Sequence, residues 1–317
     1  MKRRNFIIYC GGIATSSLAV SNLWQDSANA HVRSTAEIKP ILIEPMPQKP
    51  VLQKPVLQIP VARKETPIHF PNPHADEMIV DNIAPPPPQD SPEPPVEKIL
   101  IGGQKETFEI VLSRLVRLQK YVGYGNFNII GWDKCLRIAR NHQTVGAFTR
   151  AELDFIEEIF SIDADSLGFY GDKVVTSLTA TISKNDVRKI PATGHYLFKG
   201  ESTNTYRKIR KDIGDSIVLT SGIRGVVKQI YLFLNKTAKV KGNLSRASYS
   251  LAPPGHSYHA IGDFDVGKVN FGARNFTEAF AGTDEFKRLS DLGYLNIRYP
   301  QNNPYGVRYE PWHIKVV

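Results

Sequence analysis

The sequence predicts an α+β fold: a small, mainly antiparallel sheet with flanking helices, preceded by a helical subdomain. Three observations lead there. Apolar residues recur at helical spacing between about 105 and 165, and short apolar runs separated by irregular segments fill the chain after about 190. A proline-rich tract sets both apart from the N-terminus.

The elements follow in order. Lys2, Arg3 and Arg4 precede an apolar stretch from Phe6 to about Val20, and Ala28 and Ala30 flank Asn29 in a small-residue cleavage pattern. This is a three-part secretory signal over 1–30. The apolar run is shorter than the roughly 20 residues a bilayer span needs, so the mature chain is expected to carry no stable membrane span. Arg3-Arg4-Asn5-Phe6-Ile7 resembles a twin-arginine export signal, with Sec export as the alternative. Residues 31–99 read as a spacer: Gln48-Lys49-Pro50-Val51-Leu52 repeats as Gln53-Lys54-Pro55-Val56-Leu57, and Pro85 to Pro88 follow. Proline at this density removes backbone donors and stops helix and sheet from propagating.

Folding resumes near Leu100, and residues 100–189 form the predicted helical subdomain. Phe108, Leu112, Leu115 and Val116 share a helix face. Thr149 and Glu152 form a capping-box signature ahead of Leu153, Ile156 and Phe160. The second domain is expected over 190–317. Ile217-Val218-Leu219-Thr220 reads as a buried strand, followed by a helix with Val227, Ile230, Tyr231 and Leu234 on its apolar face. A further helix is expected over 284–292 with Gly293 at its C-terminal cap. Short strands are expected over 263–266, 295–298 and 313–317.

Charge and cysteine content narrow the classes of function. The net charge is +9 and the pI about 9.4. That balance suits an anionic surface such as a phosphate-rich cell wall. No cluster of aromatics interleaved with Lys and Arg marks a nucleic-acid site, so no nucleic-acid partner is expected. Of the two cysteines, Cys10 leaves with the signal, and Cys135 has no partner in the mature chain. An exported chain without disulfides depends on its core or on a metal. No feature of the sequence specifies an oligomeric state.

Two segments carry the chemistry: Ser257-Tyr258-His259-Ala260-Ile261-Gly262-Asp263-Phe264-Asp265 and Glu310-Pro311-Trp312-His313. Each joins an imidazole to a nearby carboxylate. Two His and one Asp can bind Zn²⁺ and leave a fourth position to water, whose pKa the metal lowers towards ~7. A neighbouring carboxylate off the metal, such as Glu310, then serves as general base. Taken singly, each residue has a plainer reading as a turn cap, a core histidine or a surface acid.

Together the segments resemble the VanY-type D-alanyl-D-alanine carboxypeptidases of the zinc peptidase M15 family, whose pattern is S-x-H-x-x-G-x-A-x-D followed by E-x-W-H. Ser257, His259 and Gly262 match the first motif, and Glu310, Trp312 and His313 the second. Ser221-Gly222-Ile223-Arg224 with Gln229 resembles a third family feature, S-G-x-R with a downstream Gln. The resemblance covers about 190–317. It implies an M15-like fold, Zn²⁺ held by His259, Asp265 and His313, and Glu310 as catalytic base. It also implies Arg224, Gln229 and Ser257 as contacts to peptidoglycan stem peptides, with Arg224 pairing a substrate carboxylate. The chain departs from the pattern in one place. The family's Asp lies seven residues after the His, where Val266 stands here, so Asp265 comes one residue early and Asp263 is a second candidate.

The expected activity is removal of the terminal D-alanine from stem peptides by an exported enzyme of the periplasm or cell wall. Three alternatives share the same residues: an L,D-carboxypeptidase, a peptidoglycan endopeptidase, and a wall-binding module without catalysis.

Overall fold

The computed structural model describes residues 96–317. The expected export signal at 1–30 lies outside the described residues, as does the expected spacer up to residue 95. Within the described residues the order is α1 (Gly102–Val122), α2 (Tyr124–Phe127), α3 (Trp132–Asn141), α4 (Arg150–Ser161), β1 (Val187–Lys189), β2 (Tyr196–Phe198), α5 (Glu201–Ile213), β3 (Ile217–Ser221), α6 (Val226–Lys239), α7 (Leu244–Ser248), β4 (Phe264–Lys268), α8 (Asp284–Asp291) and β5 (His313–Ile314). The fold is α+β, with antiparallel pairing throughout: a β1–β2 hairpin and a three-stranded sheet in the order β3-β4-β5. No described helix is long and apolar enough to cross a membrane.

The helical part is built on two devices that the sequence encodes. Phe108, Val111, Leu115 and Leu118 form one buried stripe along α1. α4 starts with the capping box, in which Thr149 Oγ1 accepts from the Glu152 amide at 3.3 Å and Glu152 Oε2 accepts from the Thr149 amide at 3.2 Å. Glu152 does more than cap. It is buried and takes a two-pronged hydrogen bond from Arg114 of α1, both arms 2.8 Å, which ties the two helices at their polar edge.

Both helices close around α6. Nine consecutive residues of α6, 226–234, are buried, so this part of the helix is enclosed on all sides, Lys228 and Gln229 included. One hydrophobic cluster joins Leu115, Leu118, Trp132, Ile156 and Ile159 to Val227, Ile230, Phe233 and Leu234. The helical segment therefore packs on an element that follows residue 190 in the chain.

A second core lies between the sheet and α5. Ile217, Leu219, Phe264, Val266 and Ile314 pack against Tyr206, Ile209 and Ile213. Because side chains alternate along a strand, Phe264 and Val266 on the core face turn Asp265 to the opposite face. In β5, Ile314 in the core does the same for His313.

Two strand expectations change. The 295–298 segment forms only an isolated bridge, Ile297 to Ile314, rather than a strand. β5 ends at Ile314, short of Val317. The cause is one buried carboxylate: Asp263 Oδ1 accepts the amides of Val316 (2.8 Å) and Val317 (3.3 Å), and Arg298 turns its side chain onto the same group. The amides of Val316 and Val317 are thereby withdrawn from a ladder, and only the Arg298 amide to the His313 carbonyl (3.4 Å) and the Lys315 amide to the Asn296 carbonyl (2.7 Å) join the two segments. The helix expected over 284–292 is present as α8, and Gly293 follows it at φ +72°, with the Tyr294 amide closing onto the carbonyl of Leu289 at 2.8 Å.

Since residues 226–234 of α6 are all buried, shortening Ile230 (fully buried) to alanine should cost about 2–5 kcal/mol. The measurement is the urea midpoint, which should fall at an unchanged slope.

Candidate metal centre

Strand register brings the site together. β4 and β5 pair with Asp265 directly opposite His313, and β3 and β4 pair with Ser221 opposite Asp265. A bulge between Leu219 and Ser221 adjusts the end of β3 at this point. Directly opposed residues place their Cβ atoms about 5 Å apart, close enough for two side chains to share one ion.

His259 arrives from outside the sheet, in a 3-10 turn over Tyr258–Ala260. Its Nδ1 lies 2.8 Å from the carbonyl oxygen of Gly222. A carbonyl only accepts, so Nδ1 carries the hydrogen and Nε2 presents its lone pair. That nitrogen faces Asp265 Oδ1 at 3.2 Å, yet both atoms are buried without a hydrogen-bond partner among the described residues. Two bare acceptors at this distance repel each other, and a cation between them removes the conflict. Ligand atoms of His259, Asp265 and His313 all lie within 4.8 Å of one another. The set of two imidazoles and one carboxylate suits Zn²⁺ with a position left for water or substrate.

The electrostatics agree with a cation site. His313 Nδ1 lies 3.3 Å from Glu310 Oε2 and 3.7 Å from Asp265 Oδ1, and its Nε2 lies 3.1 Å from Asp263 Oδ2. Burial works against charging this ring, but its bonds to Asp263 and Glu310 and the charge of Asp265 push its pKa up to about 9. Burial would also raise Asp265, yet the charges of Arg224 and His313 hold its pKa below the usual carboxylate range. His259 moves the other way: burial, then the nearby Arg224 charge, lower its pKa and keep the ring neutral. Asp263 is held below the usual carboxylate range, where the His313 and Arg298 contacts outweigh its burial.

The two aspartates differ in how full their acceptor sites are. Asp263 takes Arg298 Nε on Oδ2 (2.8 Å) and Arg298 Nη2 on Oδ1 (3.2 Å), besides the amides of Val316 and Val317 and the ring of His313. A carboxylate offers about four lone-pair sites, so none remains for a metal. Asp265 accepts from Arg224 Nη2 at 2.6 Å on Oδ2 alone. Its Oδ1 is bare.

Arg224 is held from several sides. Its Nε donates to Ser221 Oγ at 2.9 Å, and its amide donates to the carbonyl of His259 at 3.3 Å. The same turn hangs from the carbonyls of Tyr196, through the Ile223 amide at 2.8 Å, and Asn128, through the Gly225 amide at 2.7 Å. Arg224, Asp265, Glu310 and Trp312 line one end of a cleft. Leu232, Lys236 and Lys239 of α6 form a wall of it.

Of the residues expected from the sequence, His259, Asp265, His313, Glu310 and Arg224 come together. Ser257 is buried two positions before His259. Gln229 is buried in α6 and donates from Nε2 to the carbonyl of Ala252 at 2.5 Å, so this contact serves the loop after α7. Sequence reasoning did not single out Arg298, Arg308, Lys236 or Lys239. Leu232, Lys236 and Lys239 follow i, i+4, i+7 spacing, which places the two lysines on one helical stripe. Arg298 carries no local signal, because its partner Asp263 is 35 positions away.

Gly222 is where this arrangement tolerates least. A Cβ built there would stand 2.1 Å from the carbonyl oxygen of Tyr196, a backbone atom that cannot swing aside. Gly222→Ala should lower stability by about 3 kcal/mol or more by overpacking. It should also displace the carbonyl that orients His259. A thermal melt of the variant checks the first effect, and its divalent-metal uptake the second.

Residues 201–317 match the model of the family VanY, D-alanyl-D-alanine carboxypeptidase. Neither a curated protein nor a solved structure matches the chain. The matched stretch runs from α5 through β5 and contains every residue of the cluster just described. Residues 201–317 are thus a VanY-type D-alanyl-D-alanine carboxypeptidase domain of the M15 zinc peptidase family.

Proposed function

We propose that this protein is a zinc-dependent D-alanyl-D-alanine carboxypeptidase that removes the terminal D-alanine of peptidoglycan stem peptides, acting in the periplasm or cell wall after export. The observation that carries the reading is the facing pair of bare acceptors, His259 Nε2 and Asp265 Oδ1, beside His313 in a domain of a peptidase family. In this reading His259, Asp265 and His313 would hold the zinc ion, which would supply Lewis acidity to the scissile carbonyl and to a water.

The chain's own residues do the rest. Glu310, 3.3 Å from His313 and lining the cleft, accepts the proton of the attacking water and returns it to the leaving amine. Arg224 has Nε and Nη2 committed to Ser221 and Asp265, which fixes the plane of its guanidinium. Its Nη1 edge then receives the terminal carboxylate of the peptide. Gln229, whose Nε2 is held by the carbonyl of Ala252, and Ser257, two positions before His259, supply further hydrogen bonds to the same peptide. An endopeptidase or L,D-carboxypeptidase would use the same groups, and mass analysis of products from defined stem peptides distinguishes them.

Two outcomes test the reading. Zinc should raise the melting temperature of chelator-treated protein, since a ligand that binds only the folded state stabilises it, and Asp265→Asn should abolish that rise. Glu310→Gln should keep the zinc-dependent rise while cutting stem-peptide hydrolysis by about 10²–10⁴-fold, the usual weight of a general base. Equal hydrolysis by the variant and the parent removes Glu310 from that role.

A further inference from the structure

We infer that Asp263 is a positioning residue that sets the metal-binding face of His313. The inference rests on the zinc-site reading above and adds a residue that the family pattern does not supply. In S-x-H-x-x-G-x-A-x-D an alanine stands two residues before the ligand aspartate, and in this chain Asp263 stands two residues before Asp265.

The geometry is that of a carboxylate backing a ligand histidine. Asp263 Oδ2 lies 3.1 Å from His313 Nε2, and a carboxylate can only accept, so Nε2 keeps its hydrogen while Nδ1, 3.3 Å from Glu310 Oε2 and 3.7 Å from Asp265 Oδ1, is the nitrogen left to give up its proton to a metal. Asp263 is itself immobilised. Arg298 grips both of its oxygens, and the amides of Val316 and Val317, just past β5, close on Oδ1. Arg298 in turn lies 3.7 Å over the ring of Tyr258, the neighbour of His259. Tyr299 packs edge-on against His313 with ring centres 5.2 Å apart. The imidazole is thus held by a charged partner on one nitrogen and an aromatic ring at its side. Asp263, full of donors, orients a ligand rather than being one.

The test uses the full chain stripped with chelator and titrated with zinc chloride, then with cobalt chloride as a spectroscopic probe. Asp263→Asn should still bind one zinc per chain but roughly 10–100-fold more weakly, the usual cost of losing such a partner. Its cobalt form should show visible bands shifted from those of the parent. Arg298→Met, which loosens the carboxylate without removing it, should move both readouts the same way by less. Asp265→Asn should lose stoichiometric binding. Parental zinc affinity and cobalt spectrum in Asp263→Asn would overturn the inference, even with a lowered melting temperature. So would loss of stoichiometric zinc in Asp263→Asn with retention in Asp265→Asn, which makes Asp263 the ligand. Should Asp263→Asn not fold, Arg298→Met decides alone, and parental values there overturn the inference. A parental protein that takes up no zinc overturns the zinc-site reading itself, an outcome separate from failure of the Asp263 role alone.

Discussion

Everything in the site depends on the register between β4 and β5. A strand's side chains alternate, so sliding β5 by one residue would turn His313 into the core and bring Ile314 or Trp312 to face Asp265. The apolar residues around it prevent the slip. Phe264, Val266 and Ile314 belong to the core against α5, and Trp312 packs edge-on against Phe276. The burial of ordinary hydrophobic side chains on one face of the sheet thereby fixes two polar ones on the other. β5 has only two ladder residues, and the bonds from Val316 and Val317 to Asp263 complete its anchoring.

The second constraint is charge. Three carboxylates, Asp263, Asp265 and Glu310, converge on one imidazole in a buried place, with Arg298 and Arg224 each committed to one of the aspartates. Buried acids at such density are costly unless cations accompany them. In the protein alone a proton on His313 meets part of that demand. A divalent ion meets it better, because it also resolves the facing lone pairs of His259 and Asp265. Metal binding as proposed above would therefore also relieve the electrostatics of the fold.

Much of this was legible in the sequence, and the limits have physical reasons. The capping box of α4 and the glycine after α8 are local patterns and appear where their spacing predicts, while the buried stripe of α1 keeps Phe108 and Leu115 of the expected face but turns to Val111 and Leu118, with Leu112 and Val116 partly buried at its edge. The sheet was legible where strands are apolar, at 217–220, and blurred where a side chain outcompetes the ladder, at 295–298 and beyond Ile314. His259, Asp265, His313 and Glu310 stood out because each pairs an imidazole or a carboxylate with a close neighbour in the chain. The choice between Asp263 and Asp265 was not legible, since a strand sends both to one side. It takes the count of donors already on each carboxylate, and those come from Arg298 and the end of β5, elements remote in sequence. Gln229 shows another limit: its motif position says nothing of the bond from its Nε2 to the backbone of Ala252, which a loop 23 residues away supplies.

The enclosure of α6 has a mechanical consequence. One helix carries the core of the preceding helical segment on its Val227 and Ile230 side, while Leu232, Lys236 and Lys239 wall the cleft. The two parts share this helix, so loosening the helical segment loosens the cleft, and melting should proceed as one cooperative event. Strain from a poorly fitting peptide would likewise spread into the helical layer instead of being relieved by domain opening. The helical segment that precedes the VanY-matched residues is then less an appendage than the abutment against which one wall of the cleft is braced.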